Sequence, residues 1–408
     1  MACDRKRLRQ EEPLARTIKI GIAGCGATVP MYMVTVRHIP DLTVTAIMDI
    51  DPAKLASVGD YYGVDQRYVS YEQMLREADI DAVLIGTPTM LHREQAMMAA
   101  RYGKHVLLEK PMAPTISACR DIISACEEHG VMLMIGFMKR FDKSFLTATE
   151  YVQSGRLGKV HQVSTRWSWC APKVGAKGSP GHGQAVSHGG IYLDSNHLSW
   201  REKLALTYGG IYQDHGSHVT DLCRLWLGEI TSVSAEVNIV RPGSEVEDQA
   251  CVTYRHAGGG ISVHLQNKVT HTALTEYYLI DGAEASLDLH VDRKWSYVSY
   301  DPFTMNLYHD GVTQTDVTPP KDMNIDIEIE RHGRYRNELA YFAACIRDGQ
   351  KPEINTGLDG LRTIEAVTAT YLSSATGRKI SLPLSTDDET ALADIPAIFG
   401  QIAVQSPK

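Results

Sequence analysis

Five short apolar runs recur between positions 18 and 137: IKIGIAG (18–24), TVTAIMDI (43–50), AVLIGTP (82–88), HVLLEKP (105–111) and VMLMIGF (131–137). The stretches between them, at 52–62, 71–77, 91–102 and 115–129, carry apolar residues at helical spacing. A strand that is apolar on both faces needs cover on both, and helices between successive strands supply it. The pattern therefore predicts a parallel, doubly wound α/β sheet over 17–140. Ligands of such a sheet sit beyond the carboxyl ends of its strands. Residues 1–16 read as a ragged extension, and a chain of 408 residues has room for a second core.

After Arg140 the pattern changes. A helix at about 143–155 leads to GKVHQVSTRWSW (158–169), whose residues alternate, and β-rich runs follow at 231–240, 248–256, 260–269, 275–281, 285–289, 295–300, 304–309 and 312–317. Hairpin signals such as HAGGG (256–260), DGAEA (281–285) and HDG (309–311) separate several of them. The expectation is an α+β domain over 141–385 with a large, mostly antiparallel sheet. Helices at about 217–227, 330–348 and 358–376 would cover one face. The other face would be left open as an oligomer surface, giving a homo-oligomer, dimer or tetramer.

The bulk numbers exclude some partners. The net charge is −8 and no long basic run occurs, which argues against nucleic acid and against an anionic membrane. No apolar run reaches membrane-spanning length. The start, MACDRKRLRQEEPLARTIKIG, has no apolar h-region and does not read as a secretory signal. Eight cysteines are scattered without a C-x-x-C, the pattern of reduced thiols in a cytoplasmic protein.

The first strand runs into GCGATV. Gly24 and Gly26 match the first two positions of G-x-G-x-x-G; the third is Val29, a departure. The first glycine permits a tight turn and the second lets backbone approach a pyrophosphate at a helix N-terminus. An ordinary turn is the plain alternative, but this one follows the first strand and opens a helix, as a dinucleotide-binding Rossmann motif requires. Gly24, Gly26, Ala27 and Thr28 are thus cofactor-side candidates. The second strand ends in Asp49, placed to accept from an adenosine ribose and to repel a 2′-phosphate. Asp51 precedes Pro52 and reads as a helix cap. NAD is expected over NADP.

Two further motifs carry chemistry. In LLEKPMAP (107–114) an apolar strand ends in Glu109, Lys110 and Pro111. In YGGIYQDHGSHVTDLCRLWLG (208–228), Asp214, His218 and Asp221 fall four and then three residues apart at the start of a helix. A helix N-terminus disfavours an imidazolium, so His218 is expected neutral and able to accept a proton. Alone, Asp214 or Ser217 would pass for a cap and His218 for a core residue. Together with TPTMLH (87–92), GKHVLLEKPMA (103–113) and GFMKRFD (136–142), the two motifs resemble the Gfo/Idh/MocA oxidoreductase family over roughly 17–380. GFMKRFD looks most like the inositol dehydrogenase branch.

The resemblance implies an NAD-dependent dehydrogenase acting on a secondary hydroxyl of a sugar, glycoside or cyclitol. It places Lys110 beside the nicotinamide, in contact with the reacting hydroxyl, with His218 as proton acceptor and Asp214 orienting. Thr87, Pro88, His92, Glu109 and Lys110 join the cofactor side. Arg140, Arg166 and Trp167 are substrate-side candidates beside Lys110, Asp214 and His218. In relatives the bond corresponding to Lys110–Pro111 can be cis. Two alternatives share the fold: an NAD-dependent, redox-assisted glycosidase or lyase, and a non-enzymatic NAD sensor. The Gly-rich stretch 171–190 is expected to fold over bound substrate or a neighbouring subunit. The histidines around it match no zinc spacing, so no metal is expected.

Overall fold

The computed structural model describes residues 16–26, 28–168, 202–270, 274–293, 304–311, 314–320 and 333–406. The chain opens as β1 (Ile18–Ala23), α1 (Val29–Val36), β2 (Leu42–Met48), α2 (Pro52–Tyr62), β3 (Gln66–Tyr68), α3 (Tyr71–Glu77), β4 (Ala82–Ile85), α4 (His92–Arg101), β5 (His105–Glu109), α5 (Ile116–Glu128) and β6 (Leu133–Gly136). All six strands are parallel, in the order β3-β2-β1-β4-β5-β6. The order reverses between β1 and β4, and there the strand ends open a crevice. Asp51 caps α2 by accepting from Ala53 N at 2.9 Å, with Pro52 in the first helical turn. β3 was not among the five apolar runs. Its residues, Gln-Arg-Tyr, are at best half-buried at the sheet edge, so hydrophobicity did not mark it.

The second sheet follows α6 (Lys143–Gln153). It holds β7 (Val160–Ser168), then, beyond the short α7 (Leu204–Thr207) and α8 (Ser217–Leu227), the strands β8 (Ile230–Asn238), β9 (Gln249–His256), β10 (Ile261–Asn267), β11 (Leu274–Gly282), β12 (Ser286–Arg293), β13 (Thr304–Tyr308) and β14 (Gln314–Asp316). The helices α9 (Gly333–Asp348) and α10 (Gly357–Thr376) come next. The edge strand β15 (Ile380–Ser381) and the helices α11 (Thr386–Ala391) and α12 (Ile395–Gln405) end the series. The order is β14-β13-β12-β11-β7-β10-β9-β8-β15, antiparallel except where β7 meets β10. This is the expected pairing of a doubly wound parallel sheet with a mostly antiparallel one. The run expected at 295–300 lies outside the described residues.

One face of the second sheet packs on α6 and α8, through Phe145, Ala148, Val219, Leu222 and Trp226 against Val163, Tyr278, Ile280 and Leu287. The other exposes Arg166, Leu265 and Cys251, which stand side by side across β7, β10 and β9. Both helices over 330–376 were expected on this sheet, but only one of them, α10, packs on it. α10 lies between the sheets, with Ile364, Val367 and Leu372 in one core with Ile122 of α5 and Val233 and Val252 of the second sheet. α9 instead seats Tyr335, Leu339, Phe342 and Ala343 in the core formed by Ile18, Ile20, Val29 and Tyr32. Helical periodicity reveals that such a helix has an apolar stripe, not which sheet receives it. Phe342 is fully buried there. Phe342→Ala should cost about 3–5 kcal/mol in denaturant unfolding; a change within about 0.5 kcal/mol, the range of a surface substitution, would contradict this placement.

Candidate active site

The Gly turn after β1 faces the end of β2. Gly24 has φ 93°, and a side chain there would lie 3.0 Å from the Gly86 carbonyl oxygen, so both conformation and space demand glycine. Asp49 ties the two loops together: one carboxylate oxygen accepts Cys25 N–H at 2.7 Å, the other Asp51 N–H at 2.9 Å. Val29, the departure from the motif, is the first residue of α1 and is fully buried. Thr28 precedes α1 and makes no side-chain cap; Ala27 lies outside the described residues. Ile50, beside Asp49, is 82% exposed at the crevice mouth.

At the end of β4, the Thr87 hydroxyl donates to Gln95 Oε1 at 2.5 Å, and Pro88 leads into α4. His92, expected on the cofactor side, is 1% exposed. Its Nε2 lies 2.9 Å from Thr87 O and its Nδ1 3.0 Å from Pro111 O. Burial keeps this imidazole below its ordinary pKa. His92 therefore braces the ends of β4 and β5 against each other, and its ring nitrogens are turned to backbone instead of to a cofactor.

β5 delivers Glu109 and Lys110. Glu109 is buried and accepts from the Tyr32 hydroxyl at 2.7 Å. The Lys110–Pro111 bond is cis. Lys110 Nζ reaches Asp214 Oδ1 at 2.6 Å, a contact between a strand end of the first sheet and the turn that precedes α8. That turn, Tyr212–Gly216, is π-helical, a form often found at functional sites. It is held by Glu247, whose carboxylate accepts from Gly210 N, Tyr212 N and the Tyr371 hydroxyl at 2.6, 2.8 and 2.9 Å. A side chain at Gly210 would collide with the Glu247 carbonyl at 1.9 Å, which explains the Gly-Gly before the turn. Burial pushes Glu247 up to about 7 while its donors pull it back.

His218 follows in the first turn of α8, 3% exposed, with Nδ1 lacking a hydrogen-bond partner among the described residues. Burial first, then the nearby cations Lys110 and Lys139, hold it well below the usual histidine pKa. The charged form of His218 is thus disfavoured, and burial is the larger cause.

Beneath it lies a cluster that sequence reasoning missed. Lys139 pairs with Glu276 and lies 2.9 Å from the Tyr278 hydroxyl and 3.3 Å from His215 Nε2. His215 Nδ1 lies 2.8 Å from Gln266 Oε1. The His215 ring stacks on Trp167, centroids 4.6 Å apart, and stands 6.3 Å from His218. One signal was available. On β11, Glu276 shares the inward face with Tyr278 and Ile280, and a carboxylate at an inward strand position needs a partner.

Of the substrate-side candidates, Trp167 is packed against the cluster, while Arg166 and Arg140 need correction. Trp167 is 6% exposed, and one of its faces is taken by His215. Arg166 points the other way, because strand side chains alternate. It lines a shallow groove on the open face with Ser164, Leu265, Tyr277 and His290. Arg140 is buried and forms a two-pronged pair with Asp221 at 2.7 and 2.6 Å, plus Asp359 at 3.1 Å. The neighbour Lys139 is the cation of GFMKRFD that joins the His215 cluster. The stretch 171–190 lies outside the described residues.

Residues 18–137 match the oxidoreductase family model with an NAD-binding Rossmann fold, GFO_IDH_MocA, and 145–288 match the GFO/IDH/MocA C-terminal domain. The chain belongs to the Gfo/Idh/MocA oxidoreductase family. Within that family it is similar to D-apiose dehydrogenase from Paraburkholderia graminis, 25% identical over 375 residues and 90% of each chain. It is also similar to scyllo-inositol 2-dehydrogenase (NAD(+)) from Bacillus subtilis, 26% identical over 359 residues, 85% of this chain and 91% of the other. Another relative's name specifies NADP(+). Among solved structures, aldose-aldose oxidoreductase from Caulobacter crescentus superposes with a TM-score of 0.74. It is 25% identical, over 90% of this chain and 100% of that one.

Among the described residues, no helix is long and apolar enough to cross a membrane. For this Gfo/Idh/MocA chain, Arg140→Met should cost about 3–5 kcal/mol of stability, because it removes the two-pronged partner of buried Asp221 and leaves Asp221 and Asp359 with the more distant Arg224, at 3.9 and 3.6 Å. The KM for substrate in the folded fraction should stay unchanged. A raised KM with unaltered stability would restore Arg140 to the substrate side.

Proposed function

We propose that this chain transfers hydride between a secondary hydroxyl of a sugar, glycoside or cyclitol and the nicotinamide of NAD. The observation that carries this reading is the contact of Lys110 with Asp214, next to neutral His218, at the crevice where the first sheet reverses its strand order. The residues present fit a dinucleotide: a side chain at Gly26 would meet nothing within 4 Å, which leaves space for a pyrophosphate beside the backbone, and Asp49 is held by backbone donors at the end of β2. Bound NAD supplies the hydride acceptor. His218 accepts the proton of the substrate hydroxyl. The Lys110 ammonium stabilises the alkoxide that develops as the carbon is oxidised. Asp214 holds that ammonium in place. In the opposite direction the same residues protonate and polarise a ketone.

The names of relatives support sugars and cyclitols as the substrate class. Five of the cysteines, 25, 119, 126, 223 and 345, are buried free thiols, in keeping with a reducing cytoplasm. We further infer that the chain is a homo-oligomer joined through the open face of the second sheet, where Leu265 is 46% exposed. Leu265→Asp should dissociate it in sedimentation; a chain already monomeric would sink the idea.

The reaction is tested by following NADH formation across a panel of sugars and polyols. Lys110→Ala and His218→Ala should each lower kcat by about 10²–10⁴-fold while NAD still binds; near-normal kcat in either removes that residue from the reaction. His218 must be neutral to take a proton, and its pKa is lowered. The acid fall of kcat/KM should therefore lie well below pH 6.5, the ordinary histidine value. A fall centred at or above that value would contradict a buried, neutral His218.

NAD is favoured because the Asp49 carboxylate repels a 2′-phosphate and the exposed Ile50 offers it no charge. The ratio of kcat/KM for NAD over NADP should exceed one and should fall in the double variant Asp49→Ser, Ile50→Arg. A wild-type preference for NADP would overturn the role given to Asp49.

A further inference from the structure

Glu338, on α9, is a fully buried carboxyl that the chemistry above does not use. Its Oε2 lies 2.9 Å from the Tyr32 hydroxyl of α1, and the same hydroxyl lies 2.7 Å from Glu109 Oε1 at the end of β5. The remaining oxygens are also engaged: Glu338 Oε1 accepts from Asn355 Nδ2 at 3.3 Å, and Glu109 Oε2 accepts the Lys110 backbone N–H at 3.2 Å. Two carboxyl groups, 77 and 306 residues from Tyr32 in sequence, thus converge on one phenol.

A phenol has a single hydrogen and donates it to one acceptor. The second short contact is a hydrogen bond only if that carboxyl carries its own proton and donates to the phenol oxygen. With both carboxyls ionised, an oxygen lone pair would face another lone pair, and two like charges would share a buried site. The geometry therefore requires one proton beyond the phenol's own. Glu109 is the better anion, since the Lys110 ammonium and the Lys110 N–H are on its side. Among the described residues, the cation that acts on Glu338 is Arg334, on its own helix. Burial and the facing Glu109 raise Glu338 well above the ordinary carboxyl range, whereas Lys110 offsets part of the rise at Glu109.

We propose that Glu338 is a positioning residue for the reaction: it carries the extra proton of this triad, donates it to the Tyr32 oxygen, and through Tyr32 fixes Glu109 as the buried anion behind Lys110. The bonds then run from Glu338 O–H to Tyr32, from Tyr32 O–H to Glu109, and from Lys110 N–H to the other Glu109 oxygen. The backbone from which the Lys110 ammonium reaches Asp214 is thereby tied to a helix near the far end of the chain. This assignment rests on the hydride-transfer reading for the role of Lys110.

The groups that face the triad are Tyr32 of α1, Glu109 and Lys110 at the end of β5, Arg334 and Tyr335 of α9, Asn355 before α10, and Asp214 across the crevice. When pH rises through the raised pKa of Glu338, its proton leaves and the two carboxylates repel across Tyr32. The support of Lys110 is present at neutral pH and lost on the alkaline side.

The test uses the full chain and the variants Glu338→Gln, Glu338→Leu and Tyr32→Phe. Glutamine keeps a donor towards the Tyr32 oxygen but cannot titrate. The infrared difference spectrum of wild type minus Glu338→Gln at neutral pH should show the carbonyl band of one protonated carboxyl, since the band of any protonated Glu247, common to both proteins, cancels. With an oxidised sugar or polyol, Glu338→Leu and Tyr32→Phe should lower kcat by roughly ten- to a hundred-fold, the scale of a lost hydrogen bond to a charged group. Glu338→Gln should recover most of that loss, and the alkaline fall of the wild-type kcat should be absent from it. No protonated-carboxyl band at neutral pH, or a Glu338→Gln pH profile that superimposes on the wild type, would overturn the proposal. Should the leucine variant fail to fold, the band and the glutamine profile decide alone. The band reads the proton whether or not a sugar is oxidised. A chain that shows it but turns over no substrate overturns the reaction assigned above and not the shared proton.

Discussion

The Lys110 ammonium and the Asp214 carboxylate meet at 2.6 Å from two different sheets, and the rest of the site is arranged around that contact. Each partner is held from behind by its own framework. Lys110 follows a buried strand whose end is braced by His92 and Glu109. Asp214 sits in a π-helical turn pinned by the three hydrogen bonds to Glu247. A half-exposed ion pair contributes little by its attraction alone. Its value is geometric: it sets where an ammonium points in a crevice that must also admit a cofactor and a substrate.

Buried charges of opposite kind divide the work on either side. The Arg140, Asp221, Arg224 and Asp359 group joins the end of the first sheet, α8 and the start of α10, and fixes the helix that carries His218. The Lys139, Glu276 and His215 group sits on the strand side of the same helix. His218 lies among cations without being charged itself. That is the condition under which an imidazole accepts a proton instead of holding one.

Much of this was legible in the sequence because it depends on local pattern. Continuous apolar runs announced the parallel sheet; Gly24, Asp49, Lys110, Asp214 and His218 stood out through motif spacing, and the structure brings Lys110 of one sheet against Asp214, just before the helix that carries His218. What was not legible depends on direction and on partners distant along the chain. Lys139 and Arg140 are adjacent cations in one short turn, and only the fold assigns one to His215 and the other to Asp221. Arg166 and Trp167 are adjacent on β7, and the alternation of the strand separates them although the face buried could not be read from one strand. Glu247 and Glu338 carried no motif at all. Each is a carboxyl whose purpose is visible only once the backbone or side chain it serves, more than thirty residues away in sequence, is placed beside it.

The seating of α9 has a consequence for the order in which the molecule can be made. The first sheet is continuous by Gly136, yet the core on one of its faces contains Tyr335, Leu339, Phe342 and Ala343. A ribosome delivers these roughly two hundred residues later. At about 5–20 residues per second, the nascent cofactor domain waits ten seconds or more with that apolar face bare. The second sheet delays matters further, since its middle strand β7 pairs with β10 and β11, about a hundred residues downstream. Non-local pairings of this kind are slow to form. During synthesis, therefore, the apolar face that α9 covers in the finished molecule stays uncovered until the last helices are made.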